Sequence, residues 1–205
     1  MKIMSLTVGP IMTNCYLLCD EVNKVCAIVD PGDEPERILS AVKEADCVPQ
    51  AIFLTHGHFD HYSGVAGVLE AYPDLPVYIH RKDCVDGRGG ELKFRRLEDK
   101  NQRYYAEGDT LTVGDITLTV LETPGHSAGS VCLVTDGVIF CGDTLFYANC
   151  GRTDLADGSW SEMLKSLARL SRLEGDYQCL PGHDRVTRLS FERQYNPYMK
   201  QGLAQ

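Results

Sequence analysis

The chain of 205 residues reads as a single mixed α/β domain covering residues 1–205. Three observations predict it. Apolar runs of strand length alternate with amphipathic segments of helical spacing along the whole chain. No repeat, low-complexity tract or linker divides it, and the length suffices for one sizeable core. Histidines and aspartates recur where apolar runs give way to turn-forming loops, and α/β proteins collect chemistry at such strand ends.

Taken in order, Ile3 to Val8, Asn14 to Leu18 and Val25 to Val29 are predicted strands, with polar Asp20 to Lys24 as a hairpin turn. Asp30-Pro31-Gly32 closes the third strand. Pro35 opens a helix whose apolar face carries Ile38, Leu39, Val42 and Ala45. Ala51 to Leu54 is too short for a helix and predicts a buried strand. Ser63 to Tyr72 has helical spacing through Val65, Val68 and Leu69 and halts before Pro73. Pro76 to His80 is a short strand. Residues 81–107 are polar, with Arg88, Lys93, Arg95, Arg96, Lys100 and Arg103 among few acids. They predict a solvated surface excursion in preference to a lid with a cationic rim.

The β pattern resumes with Thr110 to Val113, a turn at Gly114-Asp115, Ile116 to Leu121, Val131 to Val134 and Val138 to Cys141. Ser159 is the expected N-cap of a helix running to Leu173, with Trp160, Leu164, Leu167 and Leu170 on its buried side. Gln178 to Leu180 is a last strand, and Ser190 starts a short closing helix.

A net charge of −9 without a basic patch argues against nucleic acid as partner. No apolar run reaches membrane-spanning length and no signal peptide opens the chain, so a cytoplasmic protein without a membrane partner is expected. Nine cysteines without any Cys-x-x-Cys pair predict reduced, buried thiols, Cys150 included.

The chemistry concentrates in Thr55-His56-Gly57-His58-Phe59-Asp60-His61. His56 and His58 stand two apart, so in extended chain both rings project to one side, while Gly57 lets the backbone turn between them. Asp60 and His61 do not easily serve the same ion, which hints at a second metal position. Imidazole and carboxylate packed this densely suit a transition metal. Three later points stand where a strand becomes a loop: Thr123-Pro124-Gly125-His126-Ser127, Cys141-Gly142-Asp143-Thr144 and Pro181-Gly182-His183-Asp184. His80 alone is left over and is expected to have no metal role.

Thr-His-x-His-x-Asp-His followed by Pro-Gly-His, Gly-Asp-Thr-Leu-Phe and Pro-Gly-His resembles the metallo-β-lactamase-fold hydrolases, in particular the glyoxalase II-like (hydroxyacylglutathione hydrolase) branch. The resemblance covers essentially the whole chain. It implies a four-layer αβ/βα sandwich with a dinuclear site along one edge. It also implies that His56, His58 and His126 hold one divalent metal, Asp60, His61 and His183 a second, and that Asp143 bridges them. Zinc is the default, with iron or manganese as alternatives. Metal-bound hydroxide would then be the nucleophile, with no separate protein nucleophile. A thiolate with a pKa near ~8.5 departs without a strong acid, so a small-molecule thioester is the expected substrate.

The typical C-terminal helical domain of glyoxalase II enzymes has no counterpart before the chain ends, and after Cys150-Gly151 the usual aromatic is replaced by acidic Asp154. A short-form hydrolase of a different or broader thioester is therefore expected. Phe146, Tyr147 and Arg152 are its candidate substrate contacts, with an internal ion pair to Asp154 or Asp157 as the alternative for Arg152. Two other activities stay open: a persulfide dioxygenase using one iron on His56, His126 and Asp143, and a lactone hydrolase.

Overall fold

The computed structural model describes residues 1–88 and 90–204. In chain order its strands are β1 (Lys2–Val8), β2 (Thr13–Asp20), β3 (Val25–Val29), β4 (Val48–Phe53), β5 (Val77–His80), β6 (Cys84–Val85), β7 (Phe94–Arg95), β8 (Gln102–Tyr105), β9 (Thr110–Val113), β10 (Ile116–Glu122), β11 (Val131–Thr135), β12 (Val138–Gly142), β13 (Leu145–Phe146), β14 (Asn149–Cys150), β15 (Gln178–Pro181) and β16 (Thr187–Arg188). The helices are α1 (Pro35–Glu44), α2 (Phe59–Tyr62), α3 (Val65–Ala71), α4 (Trp160–Ser171), α5 (Leu189–Tyr195) and α6 (Pro197–Leu203). Two six-stranded sheets form, ordered β1-β2-β3-β4-β5-β8 and β16-β15-β12-β11-β10-β9.

Side-chain alternation sorts the core into three layers. From β2, β3 and β4, the residues Tyr16, Leu18, Ala27, Val29, Ala51 and Phe53 point inward and meet Leu111, Val113, Leu118, Val120, Leu133 and Phe140 of the second sheet. The opposite set, Cys15, Leu17, Cys26, Ile28 and Ile52, packs under Ile38 and Val42 of α1 and Val65 and Val68 of α3. On the other side Cys132, Ile139, Cys141 and Cys179 pack under Met163, Leu167 and Leu170 of α4, with Leu189 and Met199. Both faces of each central strand are thus dry, which is why β2, β3 and β12 read as nearly continuous apolar runs. The result is the helix–sheet–sheet–helix sandwich expected from the resemblance.

Four expectations change. The helix expected over Ser63–Tyr72 is α3 alone, preceded by the short α2, because the chain turns where the Gly64 N–H bonds the Pro31 carbonyl at 2.9 Å. Residues 81–107 are more than an excursion. β8 adds to the sheet edge parallel to β5, and Phe94 and Tyr105 are buried anchors within otherwise polar sequence. Trp160 is 39% exposed, whereas Met163 is buried. The Ser159 cap is present, its hydroxyl accepting from the Glu162 N–H. The closing helix is two, α5 and α6, divided at Asn196-Pro197 where the Asn196 side chain caps α6. All nine cysteines are free thiols. Burial pushes the half-buried Cys150 thiol up to about 11, out of the nucleophilic range. Among the described residues no helix is long and apolar enough to cross a membrane.

Candidate metal centre

The loop after β4 and the ends of β10, β12 and β15 converge at one edge of the sandwich. They bring together every residue expected as a ligand. Three sets of ligand atoms lie within 4.8 Å of one another: His56, His58 and His126; His56, His61 and Asp143; and Asp60, His61 and His183. Asp143 stands between the groups, its oxygens 3.3 Å from His126 Nε2, 3.4 Å from His61 Nε2 and 3.6 Å from His183 Nε2. Asp60 lies 3.1 Å from His183 Nε2.

The rings are aimed by what their other nitrogens touch. His126 Nδ1 donates to the Arg152 carbonyl at 2.7 Å, and His61 Nδ1 donates to Asp30 at 3.0 Å. The Thr55 hydroxyl donates to Asp30 at 2.7 Å, so it accepts from His56 Nδ1 at 3.1 Å. Each bond leaves the Nε2 lone pair facing the centre. Nε2 of His56, His58, His61 and His126 and Oδ1 of Asp143 are buried with no hydrogen-bond partner. Such orphans cost about 1–3 kcal/mol each unless something else satisfies them. Five imidazoles and two carboxylates converging on that space fit divalent transition metals.

The electrostatics agree. Burial lowers His58 to about 4, assisted by neighbouring His126, and burial likewise holds His56 well below its ordinary value. Both rings are therefore neutral and ready to ligate at neutral pH. Burial opposes charge on His61, but Asp143 and Asp30 outweigh it and raise the pKa.

Two residues that the sequence reading passed over hold the loops in place. Asp30 accepts from the Thr55 N–H at 2.8 Å, from the Thr55 hydroxyl and from His61. Its sequence signal was a strand-closing Asp-Pro-Gly that looked like a turn. Asp83, fully buried, accepts from the Gly57 N–H at 2.9 Å, the Ser127 hydroxyl at 2.5 Å and the Gly129 N–H at 2.8 Å. It sits in a polar stretch without any local pattern to mark it. Gly57 is needed for space more than for a turn, since a Cβ there would come 2.4 Å from the Asp83 carbonyl oxygen.

A cavity of about 440 Å³ opens onto the ligands, lined also by Ile11, Phe59, Glu91, Leu92, Phe146, Arg152 and Leu155. Phe146 and Arg152 thus lie where substrate contacts were expected. Tyr147 does not line this cavity; it stacks on Phe191, and the Arg185 guanidinium lies over its ring. Arg152 is held bidentately by Asp154, at 2.7 and 2.9 Å. His80 lies apart, paired with Glu122 at 3.0 Å.

Comparison with known proteins agrees with this architecture. The sequence profile of the Metallo-beta-lactamase superfamily matches residues 8–183. A probable metallo-hydrolase, YqgX of Bacillus subtilis, is 37% identical over 97% of this chain and 98% of its own length. A hydroxyacylglutathione hydrolase of Erwinia tasmaniensis is 35% identical over 95% of this chain but 72% of its own. Among solved structures, the BLEG-1 B3 metallo-beta-lactamase superposes with a TM-score of 0.85 at 32% identity, covering 97% of this chain and 99% of that one. TTHA1623 in a di-iron-bound form gives 0.80 at 36%, covering 95% and 99%. ETHE1 from Myxococcus xanthus gives 0.80 at 29%, covering 96% and 84%. With a profile match over residues 8–183 and fold matches over nearly the whole chain, the chain belongs to the metallo-beta-lactamase superfamily.

Proposed function

We propose that the protein is a dinuclear-metal hydrolase of small thioesters. The observation that carries the reading is the position of Asp143, within reach of both histidine groups. A carboxylate so placed suits two cations about 3.5–4 Å apart. His56, His58 and His126 would hold one ion, Asp60, His61 and His183 the other, and Asp143 both. Divalent cations there would supply acidified water at neutral pH and a Lewis acid for the carbonyl oxygen.

The chain's own residues do the rest. Asp30, Thr55 and the Arg152 carbonyl keep the histidine rings fixed, so little reorganisation accompanies reaction. Phe59, Leu92, Phe146 and Leu155 give the cavity apolar walls that flank an acyl chain and limit water beside it. In hydrolysis the C–S bond breaks as a C–O bond forms, and the leaving sulfur keeps the electron pair. A thiolate needs no protein acid, and the cavity offers none beyond the ligands and Glu91. The relatives named as hydroxyacylglutathione hydrolases support the thioester class.

A second reading, oxidation of a persulfide at a single iron on His56, His126 and Asp143, is supported by the convergence of those residues, with Asp143 3.3 Å from His126 Nε2 and in one ligand cluster with His56. One panel separates the two. Protein loaded with zinc and, separately, with iron is given S-lactoylglutathione, glutathione persulfide with an oxygen electrode, and a β-lactam. Thioester turnover without oxygen uptake supports the hydrolase. Oxygen uptake with the persulfide overturns it, as does turnover confined to the β-lactam.

A further inference from the structure

Among the described residues, the pocket's outer wall carries one charge with no cation paired to it. Glu91 lines the cavity on a backbone fixed at neighbouring points. The Phe59 N–H bonds its carbonyl at 3.0 Å, and the Tyr62 hydroxyl bonds the Gly90 carbonyl at 2.7 Å. Two residues on, Lys93 reaches Asp83, the Lys82 carbonyl and Asp157. Several cations of this segment and of the pocket are paired with other acids: Arg81 with Asp86, Arg96 with Asp99, Lys93 with Asp83 and Asp157, and Arg152 with Asp154. Among the described residues no cation pairs with the Glu91 carboxylate. A carboxylate held at a pocket wall on a clamped backbone, with no cation paired to it among the described residues, acts on whatever enters.

The opposite wall sharpens this. Among the described residues Arg152 is the one cationic side chain lining the pocket apart from histidine, and Asp154 neutralises it through two hydrogen bonds. The wall beyond the ligands is therefore net negative, while the remaining lining is apolar.

We propose that Glu91 is a specificity-determining residue that reads a cationic group, an ammonium, on the part of the substrate that leaves with sulfur. The proposal rests on the thioester reading. It makes a polyanionic thiol carrier a poor substrate and a carrier with an ammonium end a good one. Discrimination comes from attraction to the ammonium and equally from repulsion of carboxylates.

The test uses three thioacetates of similar size: cationic acetylthiocholine, its neutral isostere S-(3,3-dimethylbutyl) thioacetate, and anionic S-acetyl-3-mercaptopropionate. For the metal-loaded wild type, kcat/KM should favour the cation over the neutral isostere by about three- to thirtyfold, the range of a charged contact between exposed and part-buried. The anion should fall below the neutral compound. Glu91→Gln should bring the cation-to-neutral ratio to about one, and Glu91→Lys should invert the order. Equilibrium binding of the matching methyl ketones, with methylene in place of sulfur, gives the same ratios without turnover. Ratios identical in wild type and both variants overturn the proposal, and so does an anion preference in the wild type. If no thioacetate is hydrolysed yet the cationic ketone binds best through Glu91, the hydrolase reading falls and the role of Glu91 stands.

Discussion

Lys93 stands 3.3 Å from the buried carboxylate of Asp83 and pairs on its other side with Asp157. Asp83 grips the loops that carry His56, His58 and His126, and Asp157 follows the pocket-lining Leu155. One ammonium therefore joins the metal loops to the wall of the cavity. Burial works against its charge, but Asp157 and Asp83 outweigh that and raise its pKa.

Removing Asp83 should be severe. Asp83→Ala leaves the Gly57 and Gly129 N–H groups without an acceptor in a dry interior and leaves the Ser127 hydroxyl only Ser130 as a partner. A loss of about 3–5 kcal/mol is expected in urea denaturation. Metal affinity, read by competition with a chelator, should fall about 10–100-fold, because the histidine loops lose their common anchor. Lys93→Met should cost about 1–3 kcal/mol, since Asp83 keeps three donors. Equal losses in the two variants would mean that the lysine, not the loop contacts, makes the site.

Metal content is the plainest check on the centre. Seven ligands exceed what one tetrahedral ion uses, so elemental analysis of fully loaded protein should give two ions per chain. Asp143→Ala should lower both occupancies together, whereas His183→Ala should lower one. A single ion in the saturated wild type contradicts the dinuclear reading.

The metal-free protein should be most stable near pH 6.5. Below that value the unfolded chain protonates His58 and His56, whose folded pKa values are lowered, His58 to about 4. The unfolded state then binds more protons, and stability falls as the pH drops from 6.5 towards 4. His61 and His183 are raised by their carboxylate partners after burial has opposed them. Their contribution is complete below 6.5 and is lost as the pH rises through their folded values. Denaturation of chelated protein from pH 4.5 to 8.5 should show both limbs, and His58→Asn should flatten the acid one. A monotonic profile in the wild type would contradict these shifts.

The ligands were legible because strand-end histidines and aspartates stand out against apolar runs at a spacing that permits few other uses. Asp30 and Asp83 were not, because a carboxylate that accepts backbone N–H groups from distant loops leaves no local pattern. The layered sandwich was implied by the resemblance and not by the strand pattern, because β2, β3 and β12 are buried on both faces and read as continuous apolar runs. The edge strand β8 had no such signal. Its outward residues Arg103 and Tyr104 face solvent, and only Gln102 and Tyr105 turn inward. The Tyr105 hydroxyl reaches the Leu54 carbonyl, a contact joining residues far apart in sequence.

Trp160 shows the limit of helical periodicity at a helix end. It occupies the first position of α4, where its ring lies beyond the second sheet and meets Tyr198 edge-on at 5.5 Å. Phe140, fully buried between the sheets, meets Tyr16 edge-on at 5.6 Å. Phe140→Ala should cost about 3–5 kcal/mol because the sandwich closes around the void only in part. Trp160→Ala removes a half-exposed ring and one aromatic contact, about 0.5–1.5 kcal/mol, because water already reaches that site. Both losses should appear as lower urea midpoints at an unchanged slope. A Trp160 variant as unstable as the Phe140 variant would place the tryptophan ring in the core.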